Sequence, residues 1–169
     1  MKKNEFMNKQ LLTEIIYLDP IEVTKEIDTI ILMKLKRKIE GLCINEGYIV
    51  KNTIDILNKS LGEYNTINNE PKVIFKVKFT VTILYPTNET YIDCYVNSYN
   101  KMGTVAYIKL SDFIDDYQES TTFSDSPFII IIPNNDIQYE INKKISVKIK
   151  ASRIKYNSST IQIIGIIDS

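Results

Sequence analysis

The sequence predicts two β-rich halves: an α+β half in which one N-terminal helix lies on an antiparallel sheet, and an all-β half that forms a five-stranded barrel. Three observations carry this prediction. A long stretch near the middle of the chain alternates apolar and polar side chains, an Asp-Pro pair opens a helical pattern before it, and five short strand patterns follow it. At 169 residues, the chain is long enough for one ordinary domain or two small ones.

The alternating stretch covers residues 72–85. Its odd positions are Val, Phe, Val, Phe, Val, Ile and Tyr, whereas most even positions through Thr82 are Lys or Thr. This alternation predicts one strand with a buried face and a wet face. Its span of roughly 45 Å exceeds that of most strands, so we expect it to bend or to pass from one sheet into another. The strand should end at Tyr85-Pro86, because proline cannot donate a ladder hydrogen bond.

A first strand is predicted over residues 11–18, with a helix after it. Asp19 suits the N-cap, Pro20 suits the first helical position, and Glu22 lies where a capping box requires it. Gly41 should end the helix, since glycine readily adopts the left-handed conformation of a C′ residue. The apolar positions at helical spacing are Ile27, Ile30, Ile31, Leu35 and Ile39. We expect this stripe to lie on the odd face of the long strand.

The remainder of the first half is predicted as short strands and a loop. Residues 42–44 and 48–50 are typical of a strand pair around Asn45-Glu46-Gly47. Residues 53–57 are typical of another short strand, and residues 61–71 of a polar loop. With the long strand, these segments would complete one antiparallel sheet under the helix.

Five strand patterns and one acidic loop make up the second half. The strand patterns cover residues 91–98, 103–110, 128–132, 144–153 and 160–167. Gly103 should open the second strand after a turn that needs positive φ. In the fourth strand, the side chains expected to point inward are Ile145, Val147, Ile149 and Ala151. Residues 111–126 carry five acidic side chains and no basic one, which is typical of a solvated loop. The pattern fits a small Greek-key barrel of the OB type.

The composition limits the chemistry that this chain can perform. The formal net charge is zero, so no global basic field attracts nucleic acid, and there is no histidine to act as a general base or metal ligand. We therefore expect no catalytic residue, no metal and no cofactor. Cys43 and Cys94 lie in apolar strand patterns and should be buried thiols of a reducing compartment. No apolar run approaches the roughly 18 residues of a membrane span, and residues 1–10 lack a signal-peptide core, so we expect no membrane partner.

One face of the barrel is a candidate surface for single-stranded RNA. By alternation, the outward side chains of the first two barrel strands include Tyr95, Val105 and Tyr107. OB barrels bind single strands by stacking bases on such side chains while cations follow the phosphates. The candidate cations are Lys101, Lys148, Lys150 and Arg153. The alternative is that tyrosine and lysine simply cover a solvated sheet face.

Several short motifs follow one another in a characteristic order over most of the chain. A strand, Asp19-Pro20 and a long helix precede Glu40-Gly41-Leu42-Cys43, the alternating strand ends at Tyr85-Pro86, and Asn100-Lys101-Met102-Gly103 forms the first turn of the barrel. In this order the chain resembles the stalk subunit of multisubunit RNA polymerases. That family includes the seventh subunit of RNA polymerase II, its archaeal counterpart and the 18 kDa polymerase subunit of poxviruses. Phe123-Ser124-Asp125-Ser126-Pro127 and the ending Ile166-Ile167-Asp168-Ser169 favour the poxvirus branch.

The resemblance implies a non-catalytic subunit with a tip domain, residues 1–85, that docks on the polymerase core. It also implies a barrel, residues 86–169, near the RNA exit. The candidate docking residues are Gly62, Tyr64 and Pro71. The implied partners are the large polymerase subunits, which hold the active site, nascent single-stranded RNA and, as an open alternative, a second stalk subunit. A viral chain would be located in the cytoplasm, in the virus factory and virion, and a cellular one in the nucleus. The acidic loop is a departure from the cellular members.

Two other functions stay open at the level of the sequence. The first is a free RNA-binding module that uses the same barrel in translation or RNA turnover. The second is an enzyme or a purely structural virion protein. Stable co-purification with large polymerase subunits separates the stalk subunit from both alternatives, and RNA binding by the isolated chain separates the two alternatives from each other.

Overall fold

The computed structural model describes residues 5–117, 122–133 and 138–167. These residues are mostly β, with one α-helix, α1 (Ile27–Ile39). The first six strands are β1 (Met7–Leu18), β2 (Cys43–Ile44), β3 (Gly47–Ile49), β4 (Asp55–Lys59), β5 (Glu63–Ile67) and β6 (Glu70–Leu84). The later strands are β7 (Tyr91–Asn100), β8 (Gly103–Tyr107), β9 (Phe128–Ile132), β10 (Lys144–Arg153) and β11 (Ile161–Ile166). Single 3₁₀ turns span Pro20–Glu22, Leu110–Asp112 and Phe123–Asp125.

The chain divides into two compact units. The sheet unit consists of residues 8–41 and 49–83, and the barrel unit of the described residues within 1–7, 42–48 and 84–169. Two backbone hydrogen bonds hold segment 42–48 within the barrel unit: the Cys43 amide donates to the Ser158 carbonyl at 2.8 Å, and the Asn157 amide donates to the Cys43 carbonyl at 2.9 Å. The division into residues 1–85 and 86–169 stays a prediction.

Strand β6 is the central strand of the sheet unit, and β1, β4 and β5 all pair with it. The predicted alternation is confirmed, because every odd position from Val73 to Ile83 is at most 4% exposed. Tyr85 was expected on the same buried face, and there the prediction is wrong, since its side chain is 48% exposed. The reason is that β6 ends at Leu84, so the alternation of the pleat no longer governs the next residue.

The prediction of a polar loop over residues 61–71 is wrong. Residues 63–67 form β5, which makes an antiparallel hairpin with β6 and places Ile67 opposite Glu70. The two turn residues, Asn68 and Asn69, have φ angles of 52° and 64°. Positive φ at both central positions is what a type I′ hairpin turn requires, and asparagine tolerates this conformation better than most residues. Alternation of apolar and polar residues could not predict this strand, because β5 is largely exposed on both faces.

The helix begins later than the Asp19-Pro20 pair predicts. Residues 20–22 form only a 3₁₀ turn, in which the Asp19 amide donates to a carboxylate oxygen of Glu22 at 2.8 Å. Val23 then leaves the helical region with a ψ angle of 85°, and α1 starts at Ile27. Within the predicted stripe, Ile31, Leu35 and Ile39 are buried, whereas Ile27 and Ile30 are half-buried. Gly41 follows the helix with a φ angle of 71°, as predicted.

Two lysines of α1 bind backbone carbonyls of strand β1. Lys34 Nζ donates to the Tyr17 carbonyl and Lys38 Nζ to the Ile15 carbonyl, each at 3.0 Å. Lys38 also forms an ion pair of 2.8 Å with Glu14. Strand β1 is the last strand on its side of the sheet, so these ammonium groups occupy acceptors that another strand would otherwise pair with.

The barrel unit contains a closed five-stranded barrel with the strand order β10-β11-β9-β8-β7. Strands β9 and β11 are parallel, and the other neighbouring pairs are antiparallel. Fully buried side chains such as Ile92, Cys94 and Val96 of β7 point into the barrel. The predicted five-stranded, OB-like barrel is confirmed at this level.

Two details of the barrel strands test the sequence prediction more finely. Gly103 has a φ angle of 130°, and a Cβ atom there would lie 2.1 Å from the Ile132 carbonyl oxygen, so the position requires glycine. Ala151, by contrast, was expected to point inward but is exposed. The cause is a β-bulge between Ile149 and Ala151, which shifts the register against β11.

The acidic stretch at residues 111–126 was expected to be a solvated loop, but its described part, which excludes residues 118–121, contains buried side chains. The Phe113 side chain is 8% exposed and contacts the Phe6 ring edge-on, with ring centroids 6.3 Å apart. The Ser126 hydroxyl is buried, accepts a hydrogen bond from the Ile108 amide and donates to the Phe128 carbonyl. Strand β8 therefore ends at Tyr107, three residues earlier than predicted, because the chain turns at Leu110 into this segment.

Candidate nucleic-acid interface

The barrel brings Tyr95 and Tyr107 together, as the alternation predicts. The two residues are direct partners across strands β7 and β8, and their ring centroids are 5.8 Å apart at an interplanar angle of 35°. The Tyr95 phenol donates a hydrogen bond of 2.6 Å to the Asp112 carboxylate. The Tyr107 phenol donates to the Asn142 side-chain oxygen at 3.2 Å. Both phenols are therefore held by neighbouring polar groups.

Tyr107 and Val105 do not face water, which corrects the expectation of an open stacking surface. Each side chain is only 6% exposed. The Phe123 ring packs edge-on against the Tyr107 ring, with centroids 6.1 Å apart. The Asn142 segment is fixed beside β7, since the Asn142 amide donates to the Val96 carbonyl at 2.7 Å. Phe123, like Phe113 an aromatic residue within the acidic stretch, was a signal in the sequence that this segment returns to the barrel.

Tyr95 keeps a partly exposed ring that lies close to two lysines. Lys109 Nζ lies 4.2 Å from the ring centroid and Lys144 Nζ lies 5.9 Å from it. Cations at these distances are attracted to the face of an aromatic ring. Sequence reasoning missed Lys109 as a site residue, although it follows Tyr107 by two positions and so has the same parity along the chain. Of the predicted stacking residues Tyr95, Val105 and Tyr107, Tyr95 is the most exposed. We call the group of Tyr95, Lys109 and Lys144 the Tyr95 cluster.

The Tyr95 hydroxyl stays protonated over the whole neutral range. Burial raises the pKa of Tyr95 to about 12, and the hydrogen bond to the Asp112 carboxylate adds to this rise. Asp112 also faces Lys144, with 4.0 Å between the carboxylate oxygen and Nζ. The Asp93 carboxylate also lies 4.0 Å from Lys144 Nζ. A ligand that stacks on Tyr95 would therefore meet a neutral phenol, two ammonium groups and two carboxylates.

Lys148 and Lys150 share a single carboxylate, that of Glu89. The Nζ atoms lie 3.1 Å and 3.0 Å from the carboxylate oxygens of Glu89. The hydrogen bonds from Lys150 and then Lys148 hold the pKa of the Glu89 carboxyl below its usual value. The two candidate phosphate-binding lysines are thus partly neutralised by a residue that alternation within β10 could not reveal, since Glu89 lies outside that strand.

The other two candidate cations lie at strand ends. Lys101 is exposed in the turn between β7 and β8. Arg153 ends strand β10 and lines a cleft of about 200 Å³ together with Lys155, Ser158, Thr160 and Gln162. The predicted cations therefore lie apart from one another: Lys101 in the β7–β8 turn, Lys148 and Lys150 beside Glu89, and Arg153 at the cleft.

The candidate docking residues lie on or beside the β5–β6 hairpin of the sheet unit. Tyr64 in β5 is opposite Val73 in β6, and its side chain is 75% exposed. Pro71 is exposed on β6, opposite Thr66. Gly62 precedes β5, and a Cβ atom there would lie 2.8 Å from a methyl carbon of Val73. Their role in docking stays a prediction.

The described residues hold no group of three or more side chains suited to bind a metal ion. Both cysteines are buried, as predicted. Burial raises the pKa of the Cys43 thiol to about 11 and that of the Cys94 thiol to about 12. Thiols with such pKa values are protonated and unreactive at neutral pH.

Neither a protein-family model nor a curated protein sequence matches this chain, so its function is inferred from its own sequence and structure. In the part of the chain that the structure describes, none of the helices has the length and apolar character needed to cross a membrane. The closed five-stranded barrel places the protein among those that contain an OB-like fold. Fold alone does not define function, so the function is argued from the site.

Proposed function

We propose that this protein is a non-catalytic stalk subunit of a DNA-dependent RNA polymerase. In this proposal the sheet unit docks on the polymerase core, and the barrel contacts nascent RNA or transcription factors near the RNA exit. The partners are the large polymerase subunits and single-stranded RNA, with a second stalk subunit as an open alternative. For a viral member, the site of action would be the cytoplasmic virus factory and the virion.

The observation that carries the proposal is the order of the elements along the chain. A helix and a sheet built around the 15-residue strand β6 precede a closed barrel with one parallel strand pair. The same order underlies the resemblance to polymerase stalk subunits. We infer that α1 lies on the sheet in the manner of a tip domain, which its three buried side chains and the lysine contacts to β1 support.

The barrel supplies chemistry suited to single-stranded RNA. A partly exposed tyrosine ring offers a stacking surface, and Lys109 and Lys144 lie close enough to bind the phosphates of a stacked nucleotide. This surface is sequence-tolerant, because every base has a π face. A subunit that contacts every transcript leaving the polymerase requires contacts that do not depend on the base sequence.

Affinity purification from the cells that produce the protein tests the proposal. We expect the tagged chain to recover the large polymerase subunits in stoichiometric amounts, detected by mass spectrometry. A variant with the docking hairpin altered, Tyr64→Ala, should recover less of them. Tyr156→Ala should not, although this tyrosine of the barrel unit is also well exposed, at 63% against 75% for Tyr64. Recovery of the chain without any large polymerase subunit would sink the proposal.

A free RNA-binding module is the second candidate function. The Tyr95 cluster favours it, because this cluster could act without any polymerase. The two functions are separated by the same purification combined with an RNA titration of the isolated chain. RNA binding in the absence of co-purified polymerase subunits would favour the free module.

A further inference from the structure

The β10–β11 hairpin of the barrel ends in a cleft of about 200 Å³. Arg153 and Gln162 are direct partners across the two strands, so their side chains lie side by side on one face of the sheet. Ile161 and Ile163 on either side of Gln162 are buried, so this face is the outer one. Lys155, Ser158 and Thr160 complete the lining of the cleft.

The lining of this cleft is cationic and rich in hydrogen-bond donors. Its described residues supply one guanidinium, one ammonium, two hydroxyls and one amide, and none of them carries a carboxylate. No carboxylate among the described residues forms an ion pair with Arg153 or Lys155, in contrast to Lys148 and Lys150, which share Glu89. The cleft therefore concentrates positive charge in a chain whose formal net charge is zero.

Several hydrogen bonds stabilise the turn that carries the cleft. Asn157 has a φ angle of 62°, and the Ser158 amide donates to the Lys155 carbonyl at 3.0 Å. The Ser158 hydroxyl donates to the Thr160 carbonyl at 2.9 Å. The backbone of Cys43 also binds this turn: its amide donates to the Ser158 carbonyl, and its carbonyl accepts from the Asn157 amide. A ligand would thus meet a preformed site rather than order a loose loop, which lowers the entropic cost of binding.

We propose that this cleft binds a phosphate group, namely a backbone phosphate of single-stranded RNA. Arg153 presents a planar fork of N–H donors that matches two phosphate oxygens, and Lys155 adds a second cation. The choice of RNA as the ligand rests on the proposed function, in which the barrel contacts nascent RNA. In this proposal the cleft, and not the pair Lys148 and Lys150, is the principal phosphate-binding site at this end of the barrel.

The experiment compares the full-length chain with the double variant Arg153→Gln/Lys155→Gln. The probes are a labelled single-stranded uridine dodecamer, titrated at several salt concentrations, and inorganic phosphate, followed by backbone amide NMR. The matched control is Lys25→Gln/Lys51→Gln, which removes two exposed cations from the sheet unit. Thermal unfolding of all three proteins verifies that each variant keeps its fold.

The cleft variant should bind the RNA more weakly, and its slope of log affinity against log salt should flatten by about 1.4, at about 0.7 for each phosphate that is no longer bound. The affinity loss should then be about sevenfold larger at about 50 mM than at about 200 mM salt. Inorganic phosphate should shift the amides of residues 158–162 in the parent and not in the cleft variant. The control should bind like the parent.

Three outcomes would overturn the inference: no RNA binding by the parent, equal binding by parent and cleft variant, or phosphate shifts confined to residues outside the cleft. The polymerase purification is run on the cleft variant in parallel. Recovery of the large subunits by a variant with unchanged RNA binding would reject the cleft and leave the proposed function standing. Failure of the parent to recover polymerase, with a functioning cleft, would reject the proposed function alone.

Discussion

Tyr95 of β7 donates a 2.6 Å hydrogen bond to Asp112, a residue of the acidic stretch that follows β8. This contact ties the acidic stretch to the surface predicted to stack RNA bases. It also keeps a carboxylate beside Lys144, one of the two cations that lie near the Tyr95 ring. The pair therefore places a carboxylate at the edge of the Tyr95 cluster.

The first prediction concerns stability at alkaline pH. The pKa of Tyr95 is raised to about 12 in the folded protein, above the usual value near 10 of an unfolded tyrosine. Stability from this group is complete below pH 10 and decreases as the pH rises through about 12, because the unfolded chain loses its proton first. Tyr95→Phe should therefore show a smaller loss of melting temperature between pH 9 and pH 11 than the parent does. Parallel pH profiles for the two proteins would contradict the assignment.

The second prediction separates stacking from hydrogen bonding at the same residue. Tyr95→Ala should weaken single-stranded RNA binding by about 1–3 kcal/mol, since it removes the ring on which a base stacks. Tyr95→Phe keeps the ring and should bind RNA close to the parent level. Fluorescence titration with a labelled oligonucleotide measures both variants. Equal affinities for the alanine variant and the parent would mean that the barrel surface is better interpreted as a protein-docking surface.

The third prediction follows from the burial of Tyr107. Tyr107→Ala should lower the free energy of unfolding by about 3–5 kcal/mol, as removal of a buried aromatic side chain typically does. Tyr156→Ala is the matched control, because its side chain is 63% exposed, and it should cost little. Chemical denaturation of both variants measures the difference. A Tyr107 variant as stable as the control would show that the Phe123 segment does not cover this strand in solution.

The fourth prediction concerns the carboxylate that Lys148 and Lys150 share. Glu89→Gln removes the negative charge that Lys148 and Lys150 share. RNA affinity should rise, and the slope of log affinity against log salt should steepen by about 0.7 for each additional phosphate that is bound. Glu63→Gln, at an exposed position of the sheet unit, is the charge-matched control. An unchanged slope for the Glu89 variant would exclude these two lysines from the RNA path.

The fifth prediction tests the core of the sheet unit. Ile31 is 1% exposed on α1, and Ile31→Ala should destabilise the protein by about 2–5 kcal/mol. Met33 on the same helix is 49% exposed, so Met33→Ala should change the stability by much less. The two melting temperatures give the comparison directly. Similar values for both variants would mean that the predicted stripe is not a packed face.

The sequence alone was sufficient for features that depend on local periodicity or on backbone conformation. The alternation of β6 identified its buried face from Val73 to Ile83, and Gly103 was assigned to a turn that only glycine can make. The five strands of the barrel and the buried cysteines also followed from short apolar patterns. Each of these signals is carried by residues within one element, where side-chain direction is set by the pleat.

The tertiary structure alone decided which outward-facing side chains are accessible and which charges are paired. Alternation assigned Tyr107 to the outer face of the barrel, but it could not reveal that Phe123 and Asn142 cover that face. Likewise, the run of lysines in β10 gave no indication that Glu89 pairs with two of them. Periodicity specifies the direction of a side chain relative to its own strand, whereas exposure and ion pairing depend on residues that are distant in sequence and adjacent only after folding.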